Sequence, residues 1–376
     1  MNSVIQEIFT LREGRPFAID RRNRNRYRIV VLEPGGRQTA YYFGTPVYNC
    51  RTGDMVNIRF SQTAGGAVFT GSNATVTVSE TVQMENENGK CVFDFGIEEC
   101  IPANDGIHCG TFRIRPTLNG ITVRASAGDK RTFSFEMETE YPFNSIHEND
   151  RCVAFMTDRF RPFVTISCIG TVDGDDAVMA PAVLEYRQTS VGRYRFTVSP
   201  TVFTGTGMMF EVNMYEPKLF QDTTVESLHP KMNNAFGGIA FIGNTSYCGE
   251  QWLYTRPDYE KLKEVMGRQI DRVVMWLPRH RPGNVRIAAC GIQRRFCSFG
   301  SDWQNKVTAF NRISTGENKE KYCRLDITEI LLREPGGTLV PNEGFILRSA
   351  VRDSGFSVIS TGDSYYAPEI LAITYR

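Results

Sequence analysis

The sequence has few of the residues on which most catalytic and metal sites depend. Its 376 residues include four histidines, at positions 108, 147, 229 and 280, and these lie in separate segments. The ten cysteines include no Cys-x-x-Cys pair, so a structural zinc site has little support. A Ser/His/Asp triad or a metal-bound hydroxide needs a histidine among other reactive groups, and no such pattern is present. We therefore expect no enzymatic activity, no metal and no cofactor.

Long apolar runs and an excess of one charge are also missing. No stretch approaches the roughly 18 apolar residues of a membrane-spanning helix, so membrane insertion is not expected. Lysine and arginine total 43 against 42 for aspartate and glutamate. Because the overall charge is balanced, we do not expect the protein as a whole to bind nucleic acid. The amino terminus, MNSVIQEIFTLREGRPF, lacks the succession of basic start, apolar core and small-residue cleavage site that marks a secretory signal. We expect a chain made in the cytoplasm without a signal peptide.

One local cluster of cysteines allows two interpretations. Cys100, His108 and Cys109 lie in a segment that also contains Pro102 and Gly106. A disulfide between the two cysteines would close this loop. Ordinary thiols fit a chain with no export signal, because disulfides persist mainly in oxidising compartments.

The residues that are abundant indicate strands. The chain has 33 glycines, 25 phenylalanines and 15 tyrosines, a turn-rich and aromatic composition. Short alternating runs fill residues 1–232, and period-two patterning predicts antiparallel sheet. Asn119-Gly120 predicts a type I′ hairpin turn between strands at 111–118 and 121–126. No helical pattern before residue 232 is long enough for a crossover between parallel strands, which argues against βαβ folds.

These patterns predict an all-β fold of tandem antiparallel β-sandwich domains with one short helix near 257–266. Pro257 and Asp258 favour a helix start there, and Gly267 favours its end. The predicted domains are 1–128, an anchoring or assembly sandwich; 129–232, a second sandwich; and 233–376, a third all-β unit. A Gly-Asp stretch at 127–130 suggests the first boundary.

The last third of the chain carries an ordered series of segments. They are NAFGG at 234–238, WLY at 252–254, IDRVVMWL at 270–277, SDW at 301–303, LDIT at 325–328, NEGFIL at 342–347 and PEILAITY at 368–375. In this order, residues 233–376 resemble the DNRLRE domain, a β-sandwich family grouped with carbohydrate-binding modules. The resemblance implies a module that binds or assembles rather than catalyses, and it does not extend to residues 1–232.

A glycan-binding face needs exposed aromatic rings and a few polar groups. Three aromatic residues lie in segments predicted as loops, and nearby arginines would suit an anionic glycan. The alternative is that Trp303 is a core aromatic and the arginines form a solvated face. The candidate glycan- or partner-binding residues are Trp303, Tyr365, Tyr366, Arg294, Arg295, Arg348 and Arg352.

Arginine is concentrated near the amino terminus. Seven arginines fall between positions 12 and 28, where the only acids are Glu13 and Asp20. Such a stretch could contact an anionic partner, or it could keep an edge strand soluble. The candidate anionic-partner contacts are Arg21, Arg22, Arg24, Arg26 and Arg28.

An acidic turn, Asp173-Gly174-Asp175-Asp176, could hold calcium. A twelve-residue calcium loop begun at Asp173 would, however, end on Leu184, where a carboxylate is needed. A solvated turn is the simpler interpretation.

The sequence as a whole suggests a non-enzymatic structural or assembly protein of a virion, a phage-like particle or a bacterial surface structure. Its expected partners are copies of itself or other assembly subunits, and a cell-surface or acidic polysaccharide bound by residues 233–376 in an adhesion role. Extracellular location would follow from release of the particle. The alternative is a polysaccharide-acting enzyme, or its accessory binding module, with chemistry in the amino-terminal sandwiches.

Overall fold

The computed structural model describes most of the chain. The residues outside the description are 1–2, 24, 49–53, 64, 72–73, 98, 104–105, 127–131, 141–142, 144, 158–160, 203, 217, 282, 284, 309, 333–335, 352–354 and 365, and the side chains of Ser3 and Ser145. Tyr365, Arg352, Arg24 and the predicted boundary at 127–130 are therefore among the positions not described.

The described residues form an all-β fold, as predicted, with three large antiparallel sheets. Three short helices accompany the strands: α1 Ser3–Leu11, α2 Tyr259–Met266 and α3 Thr328–Leu331. The strands, in chain order, are β1 Ala18–Ile19, β2 Arg28–Leu32, β3 Gln38–Phe43, β4 Arg59–Thr63, β5 Gly66–Thr70, β6 Thr75–Val78, β7 Val82–Asn86, β8 Gly89–Asp94, β9 Ile101–Ala103, β10 Gly106–Cys109, β11 Phe112–Pro116, β12 Gly120–Ser126, β13 Phe133–Thr139, β14 Ser145–Glu148, β15 Cys152–Met156, β16 Pro162–Val172, β17 Val178–Ala180, β18 Ala182–Ser190, β19 Arg193–Pro200, β20 Gly207–Met214, β21 Phe220–Glu226, β22 Ile239–Thr245, β23 Gly249–Pro257, β24 Ile270–Arg281, β25 Ile287–Ile292, β26 Phe310–Thr315, β27 Glu317–Asn318, β28 Tyr322–Asp326, β29 Phe345–Ser349, β30 Phe356–Ser360 and β31 Ile370–Tyr375.

The chain forms two compact units that cut across the predicted segments 1–128, 129–232 and 233–376. Unit 1 consists of Met1–Asn57, Lys218–Ala235 and Ala240–Arg376. Unit 2 consists of Ile58–Pro217 and Phe236–Ile239. The difference arises because strands far apart in sequence are neighbours in the sheets, and period-two patterning does not indicate which strands pair.

Unit 2 is a sandwich of two antiparallel sheets around one core. One sheet runs β14-β15-β16-β20-β12-β11-β10-β9, with β17 beside β16, and the other runs β18-β19-β13-β8-β7-β6-β5-β4. The inward side chains of both sheets meet in a shared cluster rich in phenylalanine. Phe135 of one sheet and Phe210 of the other are stacked with ring centroids 5.1 Å apart.

The hairpin at Asn119-Gly120 is confirmed, but its predicted turn type is wrong. Thr117 N–H donates to the Gly120 carbonyl at 2.8 Å, so the loop residues are Leu118 and Asn119. Neither Asn119 nor Gly120 has a positive φ, which a type I′ turn would require of both its central residues. A Cβ on Gly120 would lie 2.0 Å from the Val212 carbonyl oxygen. Glycine is therefore needed here for the close approach of β12 to β20.

Unit 1 joins the amino-terminal strands to the carboxy-terminal strand. β3 pairs with β31 in the register Ala40↔Ile373, and β31 pairs with β24 in the register Ile373↔Val273. The sheet order is β1-β2-β3-β31-β24-β30-β22-β23-β29-β25-β26, with β21, β27 and β28 paired beside this path. β1, β2 and β3 thus extend a sheet made by β21–β31.

Alternate side chains of these strands enter different apolar clusters. On β3, Ala40 and Tyr42 pack into the main core of unit 1, whereas Tyr41 and Phe43 pack into a second cluster that includes Ile8 of α1. On β23, Leu253 faces the main core, and its neighbours on either side belong to a third cluster. The unit therefore buries apolar side chains on both faces of its strands.

The helices cover parts of unit 1. α2 lies within the predicted span; Asp258 caps it by accepting the Glu260 N–H at 3.2 Å, and Tyr259, Leu262 and Val265 are buried. α1 and α3 were not predicted. Among the described residues, no helix is long and apolar enough to cross a membrane.

Candidate partner-binding surface

Two tryptophans and a phenylalanine meet on one face of unit 1. Trp252 comes from β23, Trp303 from the segment between β25 and β26, and Phe310 from β26. The ring centroid of Trp252 lies 5.2 Å from that of Trp303 and 6.0 Å from that of Phe310. Trp252 is 8 % exposed, while Trp303 and Phe310 are half-buried. We call these three rings the tryptophan cluster.

Two cations lie over the tryptophan cluster. Lys306 Nζ is 3.8 Å from the Trp303 ring centroid and 5.6 Å from that of Trp252. The Arg348 guanidinium carbon is 5.1 Å from the Phe310 centroid and 5.9 Å from that of Trp252. These distances fit cation–π attraction to the negative ring faces. The cluster therefore presents positive charge beside aromatic surface.

One carboxylate partly balances the two cations. The Trp252 indole N–H donates to Glu250 Oε1 at 2.8 Å, and Glu250 is exposed. Burial lowers the pKa of Lys306, and the charge of Glu250 opposes that shift. Lys306 Nζ also donates to the Trp303 carbonyl at 2.9 Å. The cation–π contact with the Trp303 ring and the hydrogen bond to the Trp303 carbonyl thus both hold the Lys306 ammonium group over the indole.

Trp303 and Lys306 belong to residues 293–308, which we call the 293–308 loop. Hydrogen bonds hold this loop in one conformation. Asn233 Nδ2 donates to the carbonyls of Ser298 and Ser301 at 2.8 and 2.7 Å, and Asp302 Oδ1 accepts the N–H groups of Gln304 and Asn305 at 2.8 and 2.9 Å. Such internal bonding reduces the entropy that the loop would lose on binding a partner.

The outer side of the 293–308 loop is aromatic and cationic. Phe299 is 51 % exposed, and Arg294 and Arg295 are exposed. Phe296 is buried in the cluster beneath and anchors the loop. The loop contains three cationic side chains and one acidic side chain, Asp302.

Five of the seven predicted glycan-binding residues lie in the described part of the chain, and they fall into three groups. Trp303 and Arg348 both contact Trp252, so the structure brings these two together. Arg294 and Arg295 lie on the same loop as Trp303. Tyr366 is half-buried elsewhere in unit 1 and stacks on His280 with ring centroids 5.7 Å apart. Tyr365 and Arg352 lie outside the described residues.

Three residues that matter here were not predicted as site residues: Trp252, Lys306 and Phe299. Trp252 and Leu253 are adjacent on β23 and enter different apolar clusters. The sequence of β23 does not indicate which of its two faces the 293–308 loop packs against. The run Arg294-Arg295-Phe296, followed by Phe299, could have indicated an aromatic and cationic surface on this loop.

The arginine-rich stretch is divided between surface and interior. Arg21 and Arg22 are exposed, and the Arg22 N–H is held by Asp20 Oδ1 at 2.9 Å. The Arg26 guanidinium carbon lies 5.9 Å from the Tyr27 ring centroid. Arg28 is only 5 % exposed.

Arg28 therefore differs from the surface contact predicted for it. Its guanidinium forms an ion pair with Glu264 of α2 and donates to the Asn23 carbonyl at 2.9 Å. Arg24 lies outside the described residues.

The acidic turn at 173–176 binds arginines of unit 2. Asp176 forms ion pairs with Arg113, with Arg115 at 2.8 Å and with Arg124 at 2.8 Å. Asp173 Oδ1 accepts the N–H groups of Asp175 and Ala177 at 3.0 and 2.9 Å. Asp176 thus fixes guanidinium groups on β11 and β12, whereas Gly174 and Asp175 of the same turn are exposed.

Buried carboxyl groups meet elsewhere in unit 1. Asp222 is 4 % exposed and accepts the Gly362 N–H, and Glu369 is fully buried. Burial, then the charges of Asp363 and Glu369, raise the pKa of Asp222 well above its usual value. Burial and the charge of Asp363 do the same to the pKa of Glu369, which Lys218 opposes.

His280 is a half-buried titratable group of unit 1. Burial lowers its pKa to about 4, and its Nε2 is 2.8 Å from Ser360 Oγ. The ring is therefore neutral at pH 7, which suits a packing role beside Tyr366.

A charged depression of about 710 Å³ lies on unit 1, lined in part by Arg272, Asp326 and Arg312. Its volume is that of a small-molecule site. Arg272 and Asp326 pair with each other at 2.8 Å, and Arg312 donates to the carbonyls of Glu329 and Leu332. These side chains are committed to each other and to the backbone, so the 293–308 loop is the better candidate surface.

In comparisons with known proteins, no family model and no curated sequence matches this chain. The segments behind the DNRLRE resemblance fall largely on strands of unit 1, among them β24, β29 and β31. That resemblance stays a prediction.

Proposed function

We propose that this chain is a non-enzymatic structural or assembly protein whose unit 1 binds an acidic polysaccharide through the 293–308 loop. The assembly would be a virion, a phage-like particle or a bacterial surface structure. The observation that carries the binding role is the hydrogen-bonded 293–308 loop, in which Phe299, Arg294 and Arg295 are exposed.

The chemistry of the loop favours a ligand that is both ring-shaped and anionic. Aromatic faces stack on the apolar faces of sugar rings, and guanidinium groups bind carboxylates or phosphates in a bidentate way. Phe299 and the two arginines supply these groups from one loop. An acidic glycan satisfies both kinds of contact.

The binding role can be tested by isothermal titration of the full-length chain with polygalacturonate and with neutral dextran. Phe299→Ala should weaken polygalacturonate binding by roughly tenfold, or about 1.4 kcal/mol. Phe60→Ala is the matched control, since Phe60 is also 51 % exposed but lies in unit 2. Equal affinity of wild type and Phe299→Ala, or equal binding of both polymers, would contradict the proposal.

The arginine-rich stretch provides a second comparison. Arg294→Ala/Arg295→Ala should abolish most of the affinity, whereas Arg21→Ala/Arg22→Ala should leave it unchanged. The opposite result would move the anionic contact to the arginine-rich stretch.

The assembly role needs a measurement of its own. Sedimentation velocity over a wide concentration range should show self-association, and imaging of native material should show particles or fibres that contain the chain. A strictly monomeric chain with no partner in its native source would oppose this part of the proposal.

A polysaccharide-acting enzyme is the second candidate. Its one supporting observation is the group of carboxyls with raised pKa values, Asp222 and Glu369, because a general acid needs a raised pKa. Both are almost completely buried, which separates them from a polymer substrate. Glycan depolymerisation that disappears in Asp222→Asn, with folding retained, would favour this candidate.

A further inference from the structure

Cys100 and Cys109 are opposite each other in unit 2. β9 and β10 pair in the register Gly106↔Ala103, Ile107↔Pro102 and His108↔Ile101. The next pair in this register is Cys109 with Cys100. Directly opposed residues of an antiparallel ladder point to the same face, with Cα atoms about 4.5 or 5.5 Å apart. Both values lie within the range that a disulfide spans.

The two side chains meet at the core of unit 2. Their Sγ atoms are 2.9 Å apart. Cys109 is 1 % exposed and belongs to the shared core, and Cys100 packs against that core while remaining half-buried. Cys100 Sγ is also 3.3 Å from the Ser79 carbonyl oxygen. Two thiols in this position need no backbone movement to join.

We propose that Cys100 and Cys109 form a disulfide that staples the β9–β10 hairpin when the chain meets an oxidising environment. The oxidant is a small disulfide such as oxidised glutathione. The Cys100 thiolate attacks one sulfur of the oxidant and releases one thiolate, leaving a mixed disulfide. The Cys109 thiolate then attacks Cys100 Sγ and releases the second thiolate. The two cysteines lose two protons and two electrons, and the oxidant becomes two thiols.

The surroundings set the order and the speed of these steps. Cys100 is the more accessible sulfur, so it reacts first with the external oxidant. Burial, then the hydrogen bond and charge of Cys100, raise the pKa of Cys109. Cys109 attacks as its thiolate, so the resolving step accelerates as the pH rises.

The experiment uses the full-length chain, purified reduced and then exposed to oxidised glutathione. Intact mass spectrometry should show the loss of two hydrogen atoms in addition to any glutathione retained by exposed Cys297. Trypsin leaves Cys91, Cys100 and Cys109 in one peptide, 91–113. Cleavage after Glu99 and before Asp105 separates the three cysteines, so the two fragments that carry Cys100 and Cys109 should stay joined until a reductant is added.

The variants make the assignment specific. Cys100→Ser should not lose two hydrogen atoms on oxidation, whereas Cys297→Ser, which removes an exposed cysteine of unit 1, should lose them as wild type does. The oxidised wild type should melt higher than the reduced form by on the order of 5 °C, because the cross-link restricts the unfolded chain. An unchanged mass of the wild type, or fragments joined through Cys91, would overturn the proposal.

Discussion

Arg28 and Glu264 form an ion pair that joins strand β2 to helix α2. Arg28 is buried, and its guanidinium also lies over the Tyr42 ring, 5.9 Å from the centroid. Glu264 is exposed and also accepts from Asn25 Nδ2 at 3.1 Å. The ion pair therefore connects β2, one of the amino-terminal strands, to α2.

Loss of this pair should destabilise unit 1. Arg28→Ala removes both the ion pair and the packing of the arginine stem, and we expect it to lower the free energy of unfolding by about 2–3 kcal/mol. The measurement is urea unfolding of the full chain. Arg22→Ala, at an exposed position in the same stretch, should stay within about 0.5 kcal/mol of wild type. Equal stability of both variants would show that the pair contributes nothing.

Gly120→Ala should destabilise unit 2. The added Cβ would lie 2.0 Å from the Val212 carbonyl oxygen, so β12 and β20 would have to separate. We expect a loss of about 3 kcal/mol or more, typical of severe overpacking. Gly174→Ala is the control, because nothing lies within 4 Å of its added Cβ. Thermal unfolding of both variants would decide, and similar melting temperatures would contradict the expectation.

Glu369→Gln should stabilise the protein more at pH 8 than at pH 5. The native pKa of Glu369 is raised by burial and by the charge of Asp363, while unfolded glutamates titrate near about 4.3. Between these two pKa values the native state binds more protons than the unfolded state. The unfolding free energy contributed by Glu369 therefore falls as the pH rises through that window.

Urea unfolding of wild type and Glu369→Gln at several pH values tests this sign. Glutamine keeps the shape and removes the charge, so the difference between the two proteins should grow from pH 5 to pH 8. A difference that is constant, or that grows toward low pH, would mean that a cationic group compensates the carboxylate.

His280 should act in the opposite direction. Its native pKa of about 4 lies below the unfolded value, near about 6.5. The unfolded state binds more protons between these values, so the stability that His280 contributes is lost as the pH falls from about 6.5 to 4. His280→Gln should lack this acid-dependent loss. Identical pH profiles of the two proteins would show that folding does not lower the pKa of His280.

Polysaccharide binding should depend on salt. If Arg294, Arg295 and Lys306 contact an acidic polymer, its affinity should fall as sodium chloride is raised, because salt screens exposed charges. Arg294→Ala/Arg295→Ala should show a smaller salt dependence than wild type. Lys306→Met keeps the apolar stem over Trp303 and should change stability by less than about 1 kcal/mol. Salt-independent binding would indicate a neutral ligand.

The candidate site was partly predictable. Trp303 and Arg348 could be named from their residue types, but their contact with Trp252 depends on β29, β23 and the 293–308 loop meeting on one face. Arg28 looked like its exposed neighbours Arg21 and Arg22, since nothing local indicates that Glu264 will lie beside it. Side-chain type indicates the chemistry of a residue, whereas burial and partners depend on contacts between distant segments.

Local patterns determined the class and several elements of this protein. Period-two alternation encodes strands because neighbouring side chains of a strand face opposite ways, and Asp258 followed by spaced apolar residues encodes α2 by capping and amphipathicity. Only the tertiary structure decided that β3 pairs with β31, that residues 58–217 form one sandwich, and that Cys100 meets Cys109 in the core. Strand pairing over long separations depends on the combined burial of many side chains, and that sum is not contained in any one segment.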